Sequence, residues 1–155
     1  MRILLQPTKE VLTADMFLSL LRIKYSNTHS NRRDQEELVM ASFKTVLFKI
    51  EDGELGDFLN QLEEGMVTSA MRDFASQLQI SNILAFVTGA ATRPVTGFAP
   101  RPSIAFVHDI CKHHPSAQTC SNELQLFVNP PNQNVKEMAF YLLTSLMNGS
   151  VFSTI

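Results

Sequence analysis

Apolar residues recur every three or four positions through the first half of the chain, as they do along one face of an α-helix. Thr13 is placed to cap a first helix, and the polar run 26–31 separates it from a second. Ser30 or Asn31 is the expected N-cap of the second helix, and Gly53 is its expected end. Its buried stripe is Val39, Phe43, Val46 or Leu47, and Ile50.

Two shorter helical patterns follow the long one. The first begins near Leu55 and stops at Gly65, and the second begins at Ser69. The apolar run 80–87 either extends the second of these helices or restarts it. The pattern therefore predicts a helical segment over residues 1–80.

The second half of the chain has a different pattern. Three prolines and two glycines within 88–102 exclude a helix there and favour loops or short edge strands. Residues 103–108 and 123–128 have the composition and alternation of β-strands, with 115–118 predicted as loop between them. A last helix is predicted over 134–148. Helices first, then strands, then a helix indicate an α+β fold rather than a doubly wound parallel sheet.

Composition and charge narrow the function classes. The chain has 155 residues, enough for one domain, and a formal net charge of −2. Its basic residues do not cluster in sequence beyond Arg32-Arg33, which disfavours nucleic acid as a partner. No apolar run approaches the length of a membrane span, and the first residues lack a signal-peptide pattern. With only two cysteines, Cys111 and Cys120, a cytoplasmic or nuclear location is expected.

The segment between the two predicted strands holds both cysteines. Three interpretations of Cys120 are considered. As a lone cysteine it could be a small, inert side chain, but its polar neighbours indicate an exposed thiol. A zinc site built from Cys111, His113, His114 and Cys120 has suitable ligand types, yet its spacing fits no common zinc module. The third interpretation is a nucleophilic thiol.

A cysteine nucleophile needs different support for different reactions. Hydrolysis of an amide requires a base, for which His108, His113 and His114 are the nearest candidates in sequence. Acceptance of an acyl group from an existing thioester requires less, because one thiol replaces another and the bond energies nearly cancel. A positioned thiolate is then sufficient.

Several motifs in the second half resemble a known family. Phe86-Val87-Thr88-Gly89, Arg93-Pro94 and Gly97-Phe98 are similar to the signature that opens the C-terminal lobe of HECT-type ubiquitin ligases. The segment 115–126, with Thr119, Cys120, Asn122, Leu124 and Leu126, is similar to the active-site segment of the same family. The long helix after Ser30 to Arg33 is similar to divergent vertebrate members. The resemblance divides a single HECT-like domain fragment into two parts: a helical segment at 1–80, similar to the hinge and the end of the N-terminal lobe, and a C-terminal lobe with the cysteine loop at 81–155.

The resemblance implies a function for Cys120. It would accept ubiquitin from a charged conjugating enzyme and pass it to a lysine of a protein substrate, with no cofactor. Thr119 and Asn122 would shape the loop or position the ubiquitin tail, with simple turn capping as the alternative role for both. Phe152 would help to orient the lobes. A catalytically degenerate module that binds ubiquitin or another partner is the alternative, because the chain departs from the family pattern at Gln118 and lacks the family's N-terminal lobe.

Overall fold

The computed structural model describes residues 11–62, 65–90 and 94–149. Within these ranges the chain forms six α-helices and four β-strands in the α+β arrangement that the sequence predicts. The helices are α1 (Ala14–Leu20), α2 (Asn31–Glu51), α3 (Leu55–Leu59), α4 (Ser69–Gln77), α5 (Ile80–Thr88) and α6 (Val135–Asn148). The strands are β1 (Arg22–Lys24), β2 (Ser103–His108), β3 (Ser116–Gln118) and β4 (Glu123–Val128).

Local capping explains where the helices begin. The Thr13 hydroxyl accepts a hydrogen bond from the amide of Met16 at 3.1 Å, and the Ser30 hydroxyl accepts one from Arg33 at 3.1 Å. Both are the predicted N-caps, since each hydroxyl satisfies an amide that has no partner within the first turn. The apolar run 80–87 restarts a helix rather than extending the preceding one, because Leu78 and Gln79 adopt extended backbone.

The sheet has the strand order β1-β2-β4-β3. β1, β2 and β4 are parallel, and β3 is antiparallel to β4. Ile104 lies opposite Leu124 in the register of β2 and β4, and both side chains are fully buried. The two predicted long strands are thus confirmed as the centre of the sheet.

Two features of the sheet differ from the sequence-based prediction. Residues 116–118, predicted as loop, form β3, and residues 22–24 add a strand from the helical half. Ser116, Ala117 and Gln118 lack the β-branched and aromatic side chains typical of strands. Both strands have three residues and form because each pairs with a longer neighbouring strand. The local sequence pattern does not indicate this pairing.

One hydrophobic core joins both halves of the chain. Phe17 and Phe43 from the first half pack in the same buried cluster as Leu126 and Leu142 from the second. The division of the chain at residue 80 therefore crosses a shared core, and as a functional boundary it stays a prediction. Across the described part of the chain, none of the helices has the length and apolar character that crossing a membrane requires.

A buried carboxylate connects the long helix to the sheet. Glu36 of α2 is only 2% exposed and accepts hydrogen bonds from the Ser26 amide and hydroxyl at 2.7 and 2.6 Å. Its Oε2 also lies 2.7 Å from Nε2 of His108, at the end of β2. Burial raises the pKa of Glu36, but the hydrogen bonds from His108 and Ser26 outweigh it and hold the pKa below its ordinary value.

The lowered pKa of Glu36 predicts a loss of stability in acid. The unfolded chain binds the proton more readily than the folded one, so this contribution is complete above the ordinary pKa of 4.5 and is lost as pH falls through the lower, folded value. Glu36→Gln should lower the free energy of unfolding by about 2 kcal/mol at neutral pH. The free energy of unfolding should also decline less below pH 4.5 in the variant than in the parent protein. Urea unfolding across the acid range measures both profiles. Parallel pH profiles of the variant and the parent would contradict this assignment.

Candidate functional site

Cys120 lies in the four-residue turn 119–122 that connects β3 to β4, and its side chain is exposed. Two backbone hydrogen bonds close this turn. The amide of Ser121 donates to the carbonyl of Gln118 at 3.1 Å, and the amide of Asn122 donates to the carbonyl of Thr119 at 3.3 Å. The thiol is therefore presented to solvent from a backbone that its neighbours constrain.

Asn122 connects this turn to the rest of the sheet. Its backbone is left-handed, with φ of 54°, a conformation that asparagine tolerates better than most residues. Its buried side chain donates from Nδ2 to the carbonyl of Pro100 at 2.7 Å, and its own carbonyl accepts from the amide of Ser103 at 3.0 Å. One residue thus holds the cysteine turn against the start of β2.

Of the residues that carry the family resemblance, Gly89 lies beside the same turn. Gly89 ends α5 in a left-handed conformation, with φ of 81°. A Cβ at Gly89 would lie 3.9 Å from the Cβ of Thr119, so the end of α5 lies beside the cysteine turn. Gly97 is also left-handed, with φ of 82°, and the half-buried Phe98 packs against the core. Arg93 lies outside the described residues.

The four candidate zinc ligands do not meet. The loop with Cys111 and His113 lies at the carboxyl end of β4, where buried Asn129 donates from Nδ2 to the carbonyl of Lys112 at 2.7 Å. Cys120 precedes the amino end of β4, so the length of that strand, about 16 Å, separates the two cysteines. Among the described residues, no three His, Cys, Asp or Glu side chains are grouped to bind a metal ion.

The three candidate histidine bases are also engaged elsewhere. His108 bonds to Glu36, and His113 lies 3.3 Å from Asn129 through Nδ1. The rings of His113 and His114 both pack on Tyr141, each with centroids 5.0 Å apart. In the described parts of the chain, no histidine forms a hydrogen bond with Cys120. The arrangement therefore suits thiol exchange better than base-assisted hydrolysis.

Two buried asparagines, which the sequence analysis did not single out, organise the loop that ends at β3. Besides Lys112, Asn129 donates to the carbonyl of Asp109 at 2.9 Å. Asn132 donates to the carbonyls of His113 and Phe127 at 3.0 and 2.7 Å. Asparagines flanking two prolines signal a turn, but the distant carbonyls that they bind are visible only in the folded chain.

Family comparison agrees with this architecture. Residues 61–155 match the family model described as HECT-domain (ubiquitin-transferase). The match covers more than half of the chain and includes the exposed cysteine turn, so the protein belongs to the HECT-domain family. It supports the predicted identity of this region as a HECT-type C-terminal lobe. A search of curated proteins found no match to the chain. Phe152 lies outside the described residues, and its role in orienting the lobes stays a prediction.

The contacts of Asn122 predict unequal effects of two substitutions. Asn122→Ala removes the hydrogen bond to Pro100 and also places alanine, which disfavours the left-handed conformation, at this position. Together these effects should lower the free energy of unfolding by about 2 kcal/mol. Asn122→Gly loses the hydrogen bond but accepts the backbone, so we expect a cost of about 1 kcal/mol. Urea unfolding of both variants measures the difference. Equal stability of Asn122→Ala and the parent protein would show that the Asn122 side chain does not hold the turn against the sheet.

Proposed function

We propose that this chain is a ubiquitin-transferring lobe in which Cys120 carries ubiquitin as a thioester. Membership of the ubiquitin-transferase family supports the reaction class. The exposure of Cys120 in a constrained turn is the observation that carries the assignment to this residue. The position of Cys120 beside Thr119 and Asn122, as in the family's active-site segment, adds to it.

The proposed reaction consists of two acyl transfers. The Cys120 thiolate attacks the carbonyl carbon of the thioester that links ubiquitin to a conjugating enzyme. The enzyme's thiolate leaves, and a thioester to Cys120 Sγ forms. The amine of a substrate lysine then attacks this carbonyl, the Cys120 thiolate leaves, and the amine loses one proton as the amide forms. Neither step changes an oxidation state, and neither requires a histidine base bound to the sulfur.

The neighbours of Cys120 act by position in this proposal. Asn122 holds the turn on the sheet, and Thr119 lies beside the end of α5. The sulfur therefore stays at a defined place while its exposed side remains accessible to a large acyl donor. Phe152 would contribute to the orientation of the lobes. We place the activity in the cytoplasm or nucleus, where reducing conditions keep an exposed thiol available.

Thioester capture tests the assignment of Cys120. Incubation with a ubiquitin-charged conjugating enzyme, or with ubiquitin that bears a small C-terminal alkyl thioester, should give a single adduct that thiol reductants remove. Cys120→Ser should give either an adduct that resists reductant, because an ester replaces the thioester, or none. Cys120→Ala should abolish it. Denaturing electrophoresis with and without reductant measures all three outcomes.

Cys111 provides the matched control because it is the second exposed cysteine and lies at the other end of β4. Cys111→Ala should form the adduct as the parent protein does. An adduct that persists in Cys120→Ala, or that disappears only in Cys111→Ala, would refute the proposal. No adduct from either donor, together with ubiquitin binding that survives Cys120→Ala, would favour the degenerate binding module.

A further inference from the structure

An open groove lies beside the cysteine turn, on the face of the sheet opposite the hydrophobic core. Arg22, Ser103 and Glu123 occupy one row across β1, β2 and β4, and therefore point to the same face. Ser121, the residue after Cys120, lines the groove together with Arg101. A molecule in this groove would therefore contact Ser121, one residue along the chain from Cys120.

The groove has an excess of positive charge. Among the described residues, three cations line it, Arg22, Lys24 and Arg101, against one carboxylate, Glu123. Lys24 pairs with Glu123, with 3.3 Å between Nζ and Oε2, and so neutralises that carboxylate. Within the part of the chain that the structure describes, Arg101 donates only to neutral acceptors, the carbonyls of Leu20 and Leu21 at 3.2 and 3.5 Å. Arg22 is exposed and has no carboxylate partner in the described parts of the chain.

The strand that borders the groove favours an extended polypeptide as its occupant. β1 is at the edge of the sheet that the described strands form, and the amide of Arg22 donates towards β2, to Pro102, at 2.9 Å. Because peptide groups alternate in direction along a strand, those of Ile23 point away from β2. An extended segment can pair with such an edge while its side chains reach the neighbouring groove. Arg22 and Arg101, which have no carboxylate partner among the described residues, would favour acidic side chains beside this edge.

We propose that this groove, the Arg22–Arg101 groove, binds an acidic stretch of the polypeptide that presents the acceptor lysine. The proposal rests on the proposed ubiquitin transfer from Cys120 and adds a preference in the choice of substrate lysines. Carboxylates next to the lysine would pair with Arg22 and Arg101, and this would hold the lysine amine near the thioester. The residues of β1 precede the matched range 61–155, whereas Arg101 lies within it.

Peptide binding to the uncharged protein tests the groove directly. The probe is a short fluorescent peptide with one lysine flanked by glutamates, and glutamine-flanked and arginine-flanked peptides are its matched controls. The glutamate peptide should bind most tightly, and added salt should weaken its binding. Arg22→Gln should weaken binding, and Arg22→Glu should weaken it more, by about threefold to tenfold, since repulsion replaces attraction. Fluorescence anisotropy measures each dissociation constant.

Lys44→Glu is the matched charge reversal. Lys44 is an exposed cation on α2, which packs on the opposite side of the sheet. The Lys44→Glu variant should bind the glutamate peptide as tightly as the parent protein does. Equal binding of all three peptides, equal losses in Arg22→Glu and Lys44→Glu, or tighter binding of a single-stranded oligonucleotide of the same charge would overturn the proposal.

Two further measurements separate this proposal from the proposed function. Cys120→Ala should retain full binding of the glutamate peptide, because binding does not require the thiol. Arg22→Glu should still form the ubiquitin thioester but should discharge it more slowly onto the glutamate peptide than the parent does, with equal rates on the glutamine peptide. Equal discharge rates on both peptides in the parent protein would overturn the groove while leaving the Cys120 thioester established.

Discussion

The parallel pairing of β2 with β4 is the constraint on which the rest of the structure depends. Six residues of each strand are in register, and the second pair, Ile104 and Leu124, is fully buried. A slip of one residue would turn these side chains to the opposite face, so burial of the inner face specifies the register. The register places the amino ends of both strands together. Pro100 and Ser103 therefore lie within reach of Asn122, and the cysteine turn acquires its anchor.

The cysteine turn combines a fixed backbone with an unobstructed side chain. Asn122 satisfies the polar groups behind the turn, while Cys120 remains exposed and has no histidine partner in the described residues. A hydrolase would use a base at the sulfur, whereas exchange between thioesters needs an accessible thiol at a defined place.

The N-terminal half contributes to the site although it lies largely outside the matched range. β1 extends the sheet at its edge, and Glu36 of α2 binds His108 at the far end of β2. The pairing of β1 with β2 brings Arg22 and Lys24 to the groove beside Ser121. The contact between Glu36 and His108 fixes the long helix against the sheet. The N-terminal half thus contributes Arg22 and Lys24 to the charged groove beside the HECT-type cysteine turn.

The sequence by itself determined the helix starts, the two long strands, the α+β class and the cysteine segment. These depend on contacts between near neighbours, such as the caps at Thr13 and Ser30, or on alternation within one strand. Only the tertiary structure decided the two three-residue strands and the separation of Cys111 from Cys120. It also decided the contact between Glu36 and His108, which are 72 positions apart. Arg22 and Arg101 looked unrelated in a chain of net negative charge, and they meet because the sheet aligns strands from both halves. Pairing between distant segments leaves no periodic pattern in the sequence, and it is this pairing that surrounds an exposed thiol with its neighbours.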